Sequence, residues 1–259
     1  MLLGIISDIH EDLPQLSAAL RQLERKGVDE IVCLGDIVGF AVPFYGYLKS
    51  RDANSAVALI RQNCSLVVIG NHDLYHAKRI PTHRSFFDYP SHWYDLDFEE
   101  RKRLSRDQVF LYEENELSAL LSRENRGYLA SLPEYVVKDL GDHRILFSHY
   151  AFPDCTGSST HVVRDSRALD EHFQVMDRLG CVYSFSGNDH IEGVRVFTEN
   201  RHTGCAFDMF RLPSEPLWVN GPAICSGTTD NGLMIYDSSE RVVHAQRLGA
   251  RKHVVPQHA

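Results

Sequence analysis

The chain has 259 residues, 43% of them hydrophobic and 24% charged, enough for one large α/β domain or two small ones with a substantial core. Its formal charge of −8 disfavours a broad nucleic-acid-binding surface. Six cysteines without a C-x-x-C pair argue against a zinc ribbon, and no segment has the length of a membrane span or the layout of a signal peptide, so reduced thiols and a cytoplasmic location are expected.

In chain order, Leu2 to Ser7 is a short apolar run that ends at Asp8. Asp12 then caps a predicted helix with Pro14 in its first turn, an apolar stripe of Leu13, Leu16, Leu20 and Leu23, and a stop at Lys26-Gly27. Glu30 to Leu34 is a second apolar run, ending in Gly35-Asp36, and Asp52 to Gln62 reads as a helix. Leu66 to Ile69 ends in Gly70-Asn71-His72-Asp73. Residues 74 to about 121, rich in His, aromatic and charged residues, break the strand–helix rhythm; a segment of this kind is expected to be a lid, cap or active-site loop. Its aromatic residues could stack on a nucleobase, but packing within the segment is the favoured reading.

Arg144 to Phe147 ends in Ser148-His149. Asp165 to Leu179 reads as a helix stopped by Gly180, and Cys181 to Phe185 ends in Ser186-Gly187-Asn188-Asp189-His190. Beyond Gly193, five short strand candidates follow without a convincing helix, which predicts an antiparallel meander forming a second sheet. The expected architecture is two packed sheets with helices outside, in a single domain over 1–259.

Five strands therefore end in Asp, Asn or His, mostly behind Gly or Ser, and in open α/β sheets ligands bind beyond the carboxyl ends of strands. Small residues let the backbone turn sharply there. Asp8 and His10, two apart on an extended chain, point to one side. Carboxylate oxygens and imidazole nitrogens suit divalent metals such as Mn, Fe, Zn or Ni. Each fragment alone is weak, and the force of the pattern lies in all five occurring together and in order.

The set D-I-H, G-D, G-N-H-D, S-H and G-x-x-H resembles the calcineurin-like metallophosphoesterase superfamily, in particular its compact prokaryotic phosphatases and phosphodiesterases. The resemblance spans roughly residues 1 to 250, including Leu129-Ala130-Ser131-Leu132-Pro133. It implies a four-layer αββα sandwich of two mixed sheets flanked by helices, and metal-dependent hydrolysis of a small phosphorylated or nucleotide-like substrate. It also implies two divalent metal ions. Asp8, His10 and His190 would hold the first, Asp36 would bridge both, and Asn71 and His149 would hold the second. A hydroxide between the metals would attack phosphorus, with His72 as general acid and Asp73 orienting it.

One departure stands out. The family's usual G-H-T-H or G-H-S-H is here Gly187-Asn188-Asp189-His190, so Asn188 replaces an imidazole ligand of the second metal. An amide oxygen is a poorer ligand for Zn or Fe, and the second site is expected to be the weaker. Asn220-Gly221-Pro222-Ala223 matches the family's Asn-Pro-Gly-Ser turn only loosely. The competing expectation is a non-catalytic binding or scaffold protein on the same fold. Monoester versus diester, native metal and oligomeric state stay open.

Overall fold

A computed structural model describes residues 1–84 and 86–255; Ser85 and 256–259, the end of the expected single domain, lie outside the described residues. In chain order the elements are β1 (Leu2–Ile6), α1 (Leu13–Lys26), β2 (Glu30–Cys33), β3 (Phe40–Ala41), α2 (Ala53–Asn63), β4 (Leu66–Val67), α3 (Asn71–Ala77), α4 (Phe98–Ser105), β5 (Glu116–Leu117), α5 (Arg123–Ser131), β6 (Tyr135–Asp139) and β7 (Arg144–Ser148). They continue with α6 (Asp170–Leu179), β8 (Tyr183–Ser186), β9 (Arg195–Thr198), β10 (Met209–Arg211), β11 (Leu217–Asn220), β12 (Gly232–Asp237) and β13 (Val242–Arg247).

Two mixed sheets result, ordered β10-β13-β12-β1-β2-β4 and β6-β7-β8-β11-β9. Alternation along the strands builds four layers. Leu3 and Ile5 of β1 and Phe147 of β7 face the space between the sheets, where they meet Phe185, Val219, Met234 and Tyr236. Ile6 turns the other way, onto Leu16, Ala19 and Leu23 of α1 and Val57 and Ile60 of α2. On the far side of the second sheet, Leu146 and Trp218 pack against Phe173 and Met176 of α6. Each such side chain contributes about 1.5–3 kcal/mol when fully buried.

The helix ends follow the chemistry of the sequence. Asp12 Oδ1 accepts from Gln15 N–H and Gly27 closes α1 at φ 65°. Asp52 caps α2 through Ser55 N–H. The expected helix over 165–179 begins as a 3-10 turn, Ser166–Leu169, and becomes α-helical at Asp170.

The C-terminal strands differ from the predicted meander. They divide between the two sheets: β12 pairs antiparallel with β1, and β13 and β10 extend that sheet, whereas β11 pairs parallel with β8 and carries β9 on its other edge. Alternation identifies a strand but carries no record of its partner, and both sheets had an open edge to fill. In the 74–121 excursion, Phe87, Tyr89 and Trp93 stack edge to face on one another, and β5 returns to pair with β3 in a small ribbon. No helix among the described residues is long and apolar enough to cross a membrane.

Candidate metal centre

The loops after β1 and β2 are laced together by backbone hydrogen bonds. Asp8 N–H donates to Gly35 O, Ile9 and His10 N–H both donate to Asp36 O, and Glu11 N–H donates to Ile37 O, all within 2.8–3.1 Å. Ile9 points into the core, and Asp8 and His10 are left facing the opposite way. They do so from a turn rather than from an extended chain. Asp8, His10, Asp36, Asn188 and His190 all sit in the left-handed region, with φ between 46° and 70°. Such backbone costs energy for non-glycine residues, and its concentration at one point marks a site held in place by its surroundings. Two glycines make the approach possible. A Cβ on Gly70 would lie 2.1 Å from Asp36 Oδ1, and one on Gly187 would lie 2.5 Å from Asp8 Oδ2.

The site residues converge. His149 Nε2 lies 3.2 Å from Asp36 Oδ2 and 3.8 Å from Asp8 Oδ1; His190 Nε2 lies 3.2 Å from Asp8 Oδ1; His10 Nε2 lies 3.8 Å from Asp36 Oδ2. His10 Nδ1–H donates to Gly39 O (2.8 Å) and His149 Nδ1–H to Leu34 O (2.7 Å). A carbonyl can only accept, so in both rings Nδ1 carries a proton and Nε2 is the atom aimed at the centre, the orientation in which histidine binds a metal. With Nδ2 toward Tyr112 Oη (2.9 Å), the Asn71 carbonyl oxygen lies 3.0 Å from His149 Nε2 and 3.2 Å from both Asp36 Oδ2 and Asn188 Oδ1; the reversed amide, its nitrogen on those acceptors and its oxygen accepting from Tyr112 O–H, makes the better hydrogen bonds as long as no cation lies there. Asp8 Oδ1 is buried without a hydrogen-bond partner. Acceptors that crowd together with no donor between them repel, unless protons or cations lie among them. The donor set of carboxylate, imidazole and amide fits divalent metals.

Charge follows the same geometry. Burial raises the Asp8 and Asp36 carboxyls, but the neighbouring imidazoles, His190 for Asp8 and His149 for Asp36, outweigh it and hold both below the usual carboxylate range. Burial and the nearby His72 push His10 down to about 3, which keeps its lone pair free.

The segment Gly70-Asn71-His72-Asp73 does not continue its strand. Gly70 is the N-cap of α3, and Asn71, His72 and Asp73 form the first helical turn. This corrects the expected role of Asp73. Its Oδ1 accepts from Ile37 N–H (2.9 Å) and Val38 N–H (3.1 Å), and its Oδ2 from Gly70 N–H (3.2 Å). Asp73 therefore caps the helix and ties it to the Asp36 loop, as an acidic residue at the third helical position commonly does. His72 is gripped instead by Glu116, whose Oε2 accepts from Nδ1–H at 2.5 Å while its Oε1 lies 2.5 Å from His76 Nε2. His72 N–H also donates to Asp36 Oδ1 (2.9 Å), and its Nε2 lies 4.0 Å from Asp36 Oδ2. Burial lowers the His72 ring's pKa, but the Glu116 and Asp36 carboxylates overcome this and lift it to about 9.

A cavity of about 340 Å³ opens over this cluster. Asp36, Asn71, His72, Asn188 and His190 face it, and Phe44, Tyr45, Phe110 and Tyr112 wall it. Tyr112, Glu116 and Phe110 come from the excursion and were not singled out as site residues from sequence. His76 and His83, also in the excursion, turn to Glu116 and Glu134.

The family model for the calcineurin-like phosphoesterase superfamily domain matches residues 1–203. The chain belongs to that superfamily. The matched span carries Asp8, His10, Asp36, Asn71, His72, His149 and His190. The chain is 28% identical over 163 residues to the uncharacterised protein MJ0912 of Methanocaldococcus jannaschii, a match over 59% of this chain and 55% of that one, so it spans about half the length of this relative. In fold it is similar to a metallophosphoesterase from Sphaerobacter thermophilus (TM-score 0.66, 23% identity, 97% of this chain and 89% of that one). It is similar also to the hypothetical protein PH1004 of Pyrococcus horikoshii (TM-score 0.58, 15% identity, 97% and 89%). Phosphoesterases of this superfamily use divalent metals, and the donor set described above is of the kind that holds them.

Proposed function

We propose that the protein hydrolyses a phosphate ester with two divalent cations, one held by Asp8, His10 and His190, the other by Asn71, His149 and Asn188, and with Asp36 between them. The observation that carries this reading is the meeting of buried acceptors, Asp8 Oδ1 unpartnered among them, beneath an open cavity. Bound cations would supply charge neutralisation for the phosphoryl oxygens and an activated water at neutral pH.

The chain's own residues do the rest. His72 stands at the cavity with Nδ1 fixed by Glu116, which leaves Nε2 to give a proton to the leaving oxygen. Glu116 is a positioning residue, buried and shared between His72 and His76. Tyr112 Oη meets the Asn71 amide at 2.9 Å and would hold its carbonyl toward a bound cation. Among the described lining residues there is no Lys or Arg to take a second phosphate, and the walls are aromatic. A phosphomonoester or diester with a planar or apolar organic group suits such a cavity better than a polyphosphate.

The retained donor set and His72 speak against a purely scaffolding role. The test is a panel of phosphomonoesters, diesters and cyclic nucleotides, assayed after metal stripping and reloading with Mn. Hydrolysis that follows Mn addition supports the proposal; two bound metals without turnover of any ester would favour a binding protein.

A further inference from the structure

The stretch 223–225 runs beside the loop that carries Asp8. Ile224 N–H donates to Ser7 O (3.0 Å) and Cys225 N–H to Asp8 O (3.2 Å). This holds Cys225, 1% exposed, beside His10 and His190. One ring nitrogen of each and the Cys225 sulfur all lie within 4.8 Å of one another. The two Nε2 atoms are 3.2 Å apart, and Asp8 Oδ1, buried and without a hydrogen-bond partner, is 3.2 Å from His190 Nε2 and 4.0 Å from His10 Nε2. Neighbouring ligands of one ion at about 2.0–2.3 Å stand roughly 3.3–3.8 Å apart at tetrahedral angles; the His10–His190 and Asp8–His190 distances are near that range, and Cys225 comes within 4.8 Å of a nitrogen of each ring.

We propose that Cys225 is a further ligand, as a thiolate, of the cation held by Asp8, His10 and His190 beside the shared Asp36, and that it makes this site selective for a thiophilic metal such as zinc or iron. The proposal rests on the reading that those three residues hold a cation. The two sites then differ in kind. The first has one sulfur, two imidazoles and the Asp8 carboxylate beside the shared Asp36. The second, with Asp36, Asn71, Asn188 and His149, is rich in oxygen and suits manganese or magnesium. A thiolate ligand gives up its proton as the metal arrives, so metal uptake at this site releases a proton to solvent.

The experiment loads the metal-free full-length protein with one equivalent of cobalt(II) and records its absorption spectrum. The expected result is a thiolate-to-cobalt charge-transfer band in the near ultraviolet. Cys225→Ser, nearly isosteric, should keep cobalt bound, lose the charge-transfer band and bind zinc at least tenfold more weakly. Cys225→Ala should behave alike, and circular dichroism of all three should match. A parent spectrum without the band, or a band that survives Cys225→Ser, overturns the proposal. His10→Ala separates the two levels. If cobalt still binds the parent through His10 but shows no sulfur band, Cys225 alone is wrong; if His10→Ala leaves cobalt binding unchanged, the underlying assignment of the first site has failed.

Discussion

Glu116 is a bridge between two imidazoles: its Oε2 is 2.5 Å from His72 Nδ1 and its Oε1 is 2.5 Å from His76 Nε2. The carboxylate both aims the His72 ring and favours its protonated form. A general acid works only while protonated, so activity on an ester with a poor leaving group should fall as pH rises through the His72 pKa. Glu116→Gln removes the negative charge that does most to raise that pKa, and the alkaline limb of the pH–rate profile should move to lower pH with metal content unchanged. A limb that stays in place would remove Glu116 from the catalytic account.

His72→Ala tests the acid itself. General acid–base groups typically contribute ~10²–10⁴-fold. An alkyl phosphate ester, whose alkoxide needs the proton, should lose activity in that range, whereas a nitrophenyl ester should lose much less. The measurement is kcat on both esters with metal content checked. Equal losses, or loss of a metal, would make His72 a charge stabiliser or a ligand, a role open to it because its ring lies within 4.8 Å of donor atoms of His10 and Asp36.

Asn188 offers a weaker ligand than the imidazole usual in the superfamily. Its Oδ1 meets the Asn71 carbonyl oxygen at 3.2 Å. Calorimetric titration of metal-free protein with Zn should give one tight and one weak site, and Asn188→His should tighten the weak one. Two equally tight sites in the parent protein would show that the replacement is without effect.

A pH effect independent of metal comes from His172, which is buried on α6 and accepts from Phe152 N–H through Nδ1 at 3.0 Å. Burial lowers its pKa from 6.5 to about 3. The unfolded chain takes up the proton near 6.5 and the folded chain does not until about 3, so this residue's contribution to stability is present above 6.5 and is lost as pH falls between those values. The slope is up to ~1.4 kcal/mol per pH unit. His172→Asn, which keeps an acceptor near Nδ1, should flatten the fall of stability between pH 6 and 4 in urea titrations by about that slope (~1.4 kcal/mol per unit). An unchanged slope would assign the acid sensitivity elsewhere.

How much of this was legible in the sequence depends on where the information lies. Asp8, Asp36, His149 and His190 stand directly after apolar runs, so local pattern alone placed them at strand ends. The helical start at Gly70 was written in Asp73, three residues on, but adjacency suggested a bond to His72 that the helical turn does not allow. Glu116 lies 44 residues from His72, in a stretch without periodicity, and reaches it only through the β3–β5 ribbon. Tyr112 arrives by the same route. Cys225 sits in an apolar run, where a buried thiol and a ligand look the same; its neighbours His10 and His190 are set by tertiary packing. The partners of β9 to β13 were hidden for the same reason, since alternation specifies a face and not a neighbouring strand.

The most direct test of the account is a single comparison: metal content and hydrolysis of the best ester of the substrate panel by the parent protein and Asp36→Asn, each stripped with chelator and reloaded with Mn. The account predicts that the stripped parent is inactive, that Mn restores hydrolysis with two cations bound, and that Asp36→Asn loses both metal and activity together. Hydrolysis that survives chelation, or an Asp36→Asn variant that binds two cations and turns over ester like the parent, would contradict it.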